Sequence, residues 1–133
     1  MSSILVIDDE AEVSRALRHV LERAGFEVTT CLGSEEGLAV FRKAPTDVVI
    51  TDIIMPKMNG IALMQSIRAF RPQTRIIAIS GGGNFGPLDY QPEAITTSAY
   101  LAAATQAGAD AVLTKPFDKE VLLDAVRRLL GQG

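Results

Sequence analysis

Three runs of this chain are apolar at almost every position: Ile4-Leu5-Val6-Ile7, Val48-Val49-Ile50-Thr51 and Ile76-Ile77-Ala78-Ile79. A strand with one wet face alternates apolar and polar residues, so an unbroken run reads as a strand buried on both faces. Parallel sheets sandwiched between helices are the usual way to meet that condition. The intervening pieces supply those helices. Val13, Ala16, Leu17, Val20, Leu21 and Ala24 recur at helical spacing, and Gly25 is placed to end that helix. Ser34 is placed to cap a second helix running to about Lys43, with Leu38 and Phe41 inward. Ile61, Leu63, Met64 and Ile67 mark a third, halted before Pro72. Asp118 is placed to cap a last helix carrying Val121, Leu122, Ala125, Val126, Leu129 and Leu130.

Two further strands are more polar. Glu27–Cys31 contains Thr29 and Thr30, and Ala111-Val112-Leu113-Thr114 ends in threonine, as edge strands may. Strand and helix alternate along the chain. With right-handed crossovers this predicts an α/β fold, a doubly wound five-stranded parallel sheet of order 2-1-3-4-5, flavodoxin-like. Its switch point lies between the first and third strands, where ligands of such sheets bind at the carboxyl ends.

Four short pieces follow the strands at that edge: Asp8-Asp9, Asp52, Ser80 and Lys115-Pro116. Singly they are unremarkable, since Asp8-Asp9 suits a helix cap and Asp52 suits a turn. Together they are costly. Two carboxylates ~5 Å apart repel by roughly 3 kcal/mol at an effective dielectric near 20. A cation, a lysine or shifted proton affinities must compensate. Lys115 offers one positive charge, and a hard divalent ion such as Mg²⁺ suits oxygen ligands. Such a cluster also suits the handling of a phosphoryl group.

The totals narrow the class. A chain of 133 residues is expected to form a single domain over 1–133, and the three residues after Leu130 leave no room there for an output domain. No stretch approaches the roughly 20 apolar residues of a membrane span, and no signal peptide precedes the first strand. The net charge of −3 gives no basic footprint for nucleic acid. One cysteine, Cys31, cannot form an internal disulfide and suits a reducing cytoplasm.

The pattern resembles the receiver domain of two-component response regulators, over essentially the whole chain. The matching pieces are Asp8-Asp9, Asp52, Met55-Pro56, Gly60, Ser80 and Lys115-Pro116. The resemblance implies that Asp52 accepts a phosphoryl group from a histidine kinase or histidine phosphotransfer protein. It implies Mg²⁺ held directly by Asp9, Asp52 and the backbone carbonyl of Ile54, with Asp8 acting through water. Ser80 would donate a hydrogen bond to the phosphoryl group, Lys115 would neutralise it, and Lys115-Pro116 would be cis. It further implies a cytoplasmic signalling protein, monomeric or weakly dimeric, that catalyses only its own phosphorylation and dephosphorylation. Its downstream protein partner would be met through the helix before the fifth strand, that strand and the last helix.

Two departures from the family pattern stand out. Between Ser80 and Ala111 lie 30 residues, where two loops and a helix would use roughly 15–24. The excess falls in Gly81–Pro92, predicting an extended loop beside the acidic edge and a helix beginning near Thr97 or Ser98. Its G-x-G-x-x-G spelling does not open a first βαβ unit, so it is a weak dinucleotide signal. Many receivers also carry an aromatic residue three positions before the lysine, where this chain has Val112. Two rival functions use the same residues. A phosphohydrolase with an aspartyl intermediate generally needs a second aspartate two positions after the nucleophile, where Ile54 stands. A docking module that is never phosphorylated would not need the full acidic set.

Overall fold

The computed structural model describes residues 2–52, 60–80, 108–114 and 118–131. In chain order its elements are β1 (Ser3–Ile7), α1 (Ala11–Arg23), β2 (Glu27–Cys31), α2 (Ser34–Lys43) and β3 (Val48–Asp52). They continue with α3 (Gly60–Phe70), β4 (Arg75–Ser80), β5 (Ala111–Thr114) and α4 (Lys119–Leu129). The Met55–Gly60 turn up to Asn59, the Gly81–Pro92 loop, the helix expected near Thr97 and Lys115-Pro116 lie outside the described residues.

All strand pairs are parallel, in the order β2-β1-β3-β4-β5. The doubly wound, flavodoxin-like sheet expected from the apolar runs is therefore the sheet the chain forms, with β2 and β5 at its edges. The runs behave as two-sided strands. Ile4, Val6, Val48, Ile50, Ile77 and Ile79 join Leu17 and Leu21 of α1 and Leu122, Ala125 and Val126 of α4. Leu5, Ile7, Val49, Ile76 and Ala78 face the other way, against Leu38 and Phe41 of α2 and Leu63, Met64 and Ile67 of α3. Burying a side chain of this size contributes about 1.5–3 kcal/mol, so the two layers hold the sheet from both sides.

Glycine ends α1 in the way its position suggests. Gly25 has φ +98°, its N–H donates to the Glu22 carbonyl at 3.0 Å, and Phe26 N–H donates to the Leu21 carbonyl at 3.1 Å. That pair of bonds is a Schellman stop, and Leu21 and Phe26 meet in the core beside it.

Some local expectations shift by a residue. Ser34 is the first residue of α2, and Gly33 holds the cap position instead. Asp118 does hold the cap position of α4, but no side-chain bond caps the helix. Its backbone carbonyl accepts from Val121 at 3.0 Å and Leu122 at 3.2 Å. Ala16 is exposed, with Ser14 buried in its turn of α1, and Val121 is 46% exposed. A helix buries a stripe, and apolar residues at the stripe's margin need not lie under it. No described helix is long and apolar enough to cross a membrane.

Candidate functional site at the carboxyl edge of the sheet

Register brings the acidic residues together. Ile7 pairs with Thr51, so the next residues along, Asp8 and Asp52, leave adjacent strands at the same level. Asp52 in turn pairs with Ile79, the residue before Ser80, and Ser80 pairs with Thr114, the residue before Lys115. The four expected strands thus end along one edge.

Backbone and side-chain bonds fix the two aspartates. Asp8 N–H donates to the Cys31 carbonyl at 3.1 Å, carrying the β1–β2 ladder one residue further. Its carboxylate Oδ1 accepts from Glu10 N–H at 2.9 Å, and its carbonyl accepts from the buried Ser14 hydroxyl at 3.3 Å. On β3 the buried Thr51 hydroxyl donates to the Asp52 carbonyl at 3.0 Å. The result is a pair of inward carboxylates, Asp8 at 1% and Asp52 at 9% exposure.

Glu10 joins them. One carboxylate oxygen from each of Asp8, Glu10 and Asp52 lies within 4.8 Å of the others. Asp9 is exposed and is not a member of that trio. Sequence reasoning placed Asp8 and Asp52 at the site but missed Glu10. The available signal was the unbroken acidic run Asp8-Asp9-Glu10, whose third member comes back to the edge because Asp8 folds the backbone over its own carboxylate. Ile54 and Lys115 lie outside the described residues.

The trio suits a hard cation. Three carboxylates supply oxygen donors only, and two oxygens opposite each other on Mg²⁺ would stand about 4.2 Å apart. A spacing within 4.8 Å closes to that by small rotations or through water. Like charges this close repel one another, and a bound cation would offset that repulsion.

An open α/β sheet with buried aspartates at its switch point defines a flavodoxin-like domain whose acidic site lies at the strand ends. The chain belongs to the response regulator receiver domain family, whose sequence model matches residues 4–127. The C4-dicarboxylate transport transcriptional regulatory protein DctD of Rhizobium meliloti (strain 1021) is 33% identical over 126 residues, which cover 95% of this chain and 25% of DctD. The probable transcriptional regulator ycf27 of Pyropia yezoensis is 34% identical, over 96% of this chain and 46% of its own length. Among solved structures, a response regulator receiver domain protein from Clostridium thermocellum superposes with TM-score 0.80 at 33% identity, over 99% of this chain and 96% of that one. The chain spans from a quarter to about half of the length of the curated relatives it matches.

Proposed function

We propose that this receiver domain takes a phosphoryl group onto Asp52 from the phosphohistidine of a sensor kinase or phosphotransfer protein, with Mg²⁺ as cofactor. The observation that carries the reading is the juxtaposition of buried Asp8 and Asp52 with Glu10 at the carboxyl ends of β1 and β3. Family membership adds the expected roles of the remaining edge residues.

An Asp52 carboxylate oxygen attacks phosphorus. The new P–O bond forms as the P–N bond to the donor imidazole breaks, and the imidazole leaves with that electron pair. Little covalent help is needed in such a transfer; position and charge neutralisation dominate. Mg²⁺ held by these carboxylates would supply part of that neutralisation. Asp8 holds the inner wall of the site, its orientation set by Glu10 N–H. Asp9, at the exposed rim, and the carbonyl of Ile54 complete the proposed ligand set, with Glu10 as an added carboxylate. Ser80 and Lys115 would contact the transferred group, by hydrogen bond and by charge. Hydrolysis of the acyl phosphate returns Asp52, so the domain acts on itself and turns over no separate substrate. The signal would leave through a downstream protein bound near β5 and the helices flanking it.

Intact mass measurement after incubation with Mg²⁺ and acetyl phosphate tests the reading. One hydroxylamine-labile phosphate should appear, and none in Asp52→Asn. No adduct and no beryllofluoride binding would instead mark a docking module. Continuous release of phosphate from many phosphoesters would mark a hydrolase.

A further inference from the structure

Strand β5 poses a register problem. It has four residues and, among the described strands, pairs with β4 alone. Its first three side chains are apolar whichever way they face: Ala111 and Leu113 pack with the α1–α4 layer, and Val112 packs with the α2–α3 layer. Usually a one-residue slip is forbidden because it moves apolar residues into water. Across Ala111–Leu113 a slip exchanges apolar for apolar, so those three residues choose the register only weakly.

A polar clasp at the start of the strand does choose. Asp110 N–H donates to the Ile76 carbonyl at 2.8 Å, and Ile76 N–H donates back to Asp110 Oδ2, also at 2.8 Å. The same Oδ2 accepts from Arg68 Nη2 at 2.8 Å. Arg68 then reaches the carbonyls of Pro72 at 2.6 Å and Thr74 at 2.7 Å through Nη1, and that of Gly108 through Nη2. One planar guanidinium thereby ties the end of α3, the entry to β4 and the entry to β5. Gly108 is shaped for this role. Its φ is +112°, and a Cβ there would come 3.2 Å from Arg68 Nε.

We infer that Arg68 and Asp110 are positioning residues that set the register of β5 against β4. They thereby set where the chain leaves the sheet, one residue before Lys115. The inference rests on the reading that Lys115 serves phosphoryl transfer, but the register itself is measurable without it. A point charge cannot replace the fork, because Arg68 meets acceptors on three segments at once.

The test compares the whole chain with Arg68→Met, Arg68→Lys, Asp110→Asn, Lys115→Ala and the double variant Arg68→Met/Lys115→Ala. Cross-strand NOEs report the Ile77–Ala111 pairing. They should weaken or move to a neighbouring residue in Arg68→Met, with those between β1 and β3 unchanged. Adduct formation from acetyl phosphate should fall about tenfold in Arg68→Met, as in Lys115→Ala, and no further in the double variant, the signature of groups acting as a unit. Mg²⁺ affinity should stay within about twofold, since Asp8 and Asp52 stand on other strands, and Arg68→Lys should fall between wild type and Arg68→Met.

Intact β4–β5 NOEs with unchanged adduct formation in Arg68→Met would overturn the inference. So would an equal loss of β1–β3 NOEs and Mg²⁺ affinity, which would mark general loosening. Should Arg68→Met fail to fold, the same NOEs in Asp110→Asn decide the matter. An unimpaired Lys115→Ala would remove the phosphoryl reading of Lys115 and leave the register to be judged by NOEs alone.

Discussion

Gly37 of α2 lies against Ile7 of β1 so closely that a Cβ on the glycine would stand 2.5 Å from Ile7 Cδ1 and 2.7 Å from Cγ1. Ile7 is fully buried and immediately precedes Asp8. The close approach of helix to strand therefore sits directly beneath the acidic site.

Gly37→Ala should destabilise the domain despite better helix propensity. Propensity favours alanine by about 1 kcal/mol, while overpacking a stiff β-branched neighbour costs about 1–3 kcal/mol. A net loss of ~1 kcal/mol is expected in urea unfolding. Ile7→Val, which removes Cδ1, should recover part of it in a double-mutant cycle. Simple additivity of the two changes would show that they do not meet.

Neutralising Asp52 should raise thermal stability in EDTA and abolish stabilisation by Mg²⁺. Like charges within 4.8 Å repel by roughly 3 kcal/mol at an effective dielectric near 20, and Asp52→Asn relieves that repulsion. A melting temperature unchanged by the substitution in EDTA would count against the crowding argument. Calorimetric Mg²⁺ titration of Asp8→Asn, Asp9→Asn and Glu10→Gln ranks the other carboxylates, with at least a tenfold loss expected for a direct ligand.

Alkaline pH should destabilise the native chain through Cys31. Burial, and after it the nearby Glu36, push this thiol above its ordinary value of 9.0. As pH rises past that ordinary value, the unfolded thiol ionises while the folded one keeps its proton. The stability tied to Cys31 is thus intact below the unfolded-state value and lost as pH climbs toward the folded-state value. Urea unfolding from pH 7 to 10 should show a steeper decline in wild type than in Cys31→Ala. Parallel declines would rule this linkage out.

Asp47→Ala should loosen the amino-terminal strand. The Asp47 carboxylate accepts from Ser3 N–H at 3.0 Å and from the Ser3 hydroxyl at 3.4 Å, across a partly buried strand entry. Losing these bonds should cost about 1–2 kcal/mol with an unchanged urea slope. Faster amide exchange confined to Ser3 and Ile4 would be the local sign.

Much of this was legible in the chain because strand burial is written in consecutive residues. Ile4–Ile7, Val48–Thr51 and Ile76–Ile79 announce two-faced strands, and topology rules then order the sheet and bring Asp8 beside Asp52. Gly25 announced its helix stop for a reason equally local. What escaped notice depends on partners far apart in sequence. Glu10 stands at the edge where its N–H meets the Asp8 carboxylate after β1. Arg68 carries no mark of its own in the sequence, and its acceptors at Pro72, Thr74, Gly108 and Asp110 follow no periodic pattern. Val121 and Ala16 fit a helical repeat yet fall at the margin of the stripe, which only the neighbouring layer decides.

Among the described residues the interior is two bodies of side chains separated by a single sheet. Neighbouring residues of β1 belong to opposite bodies, Val6 to one and Ile7 to the other. Among the described residues, what lies beneath α2 therefore meets the α1 and α4 side of the core across the strands. The ends of β1 and β3 carry Asp8 and Asp52 at the edge shared by both bodies. The sheet works as a membrane works in a drum, and its carboxylates lie at the rim where both sides are felt.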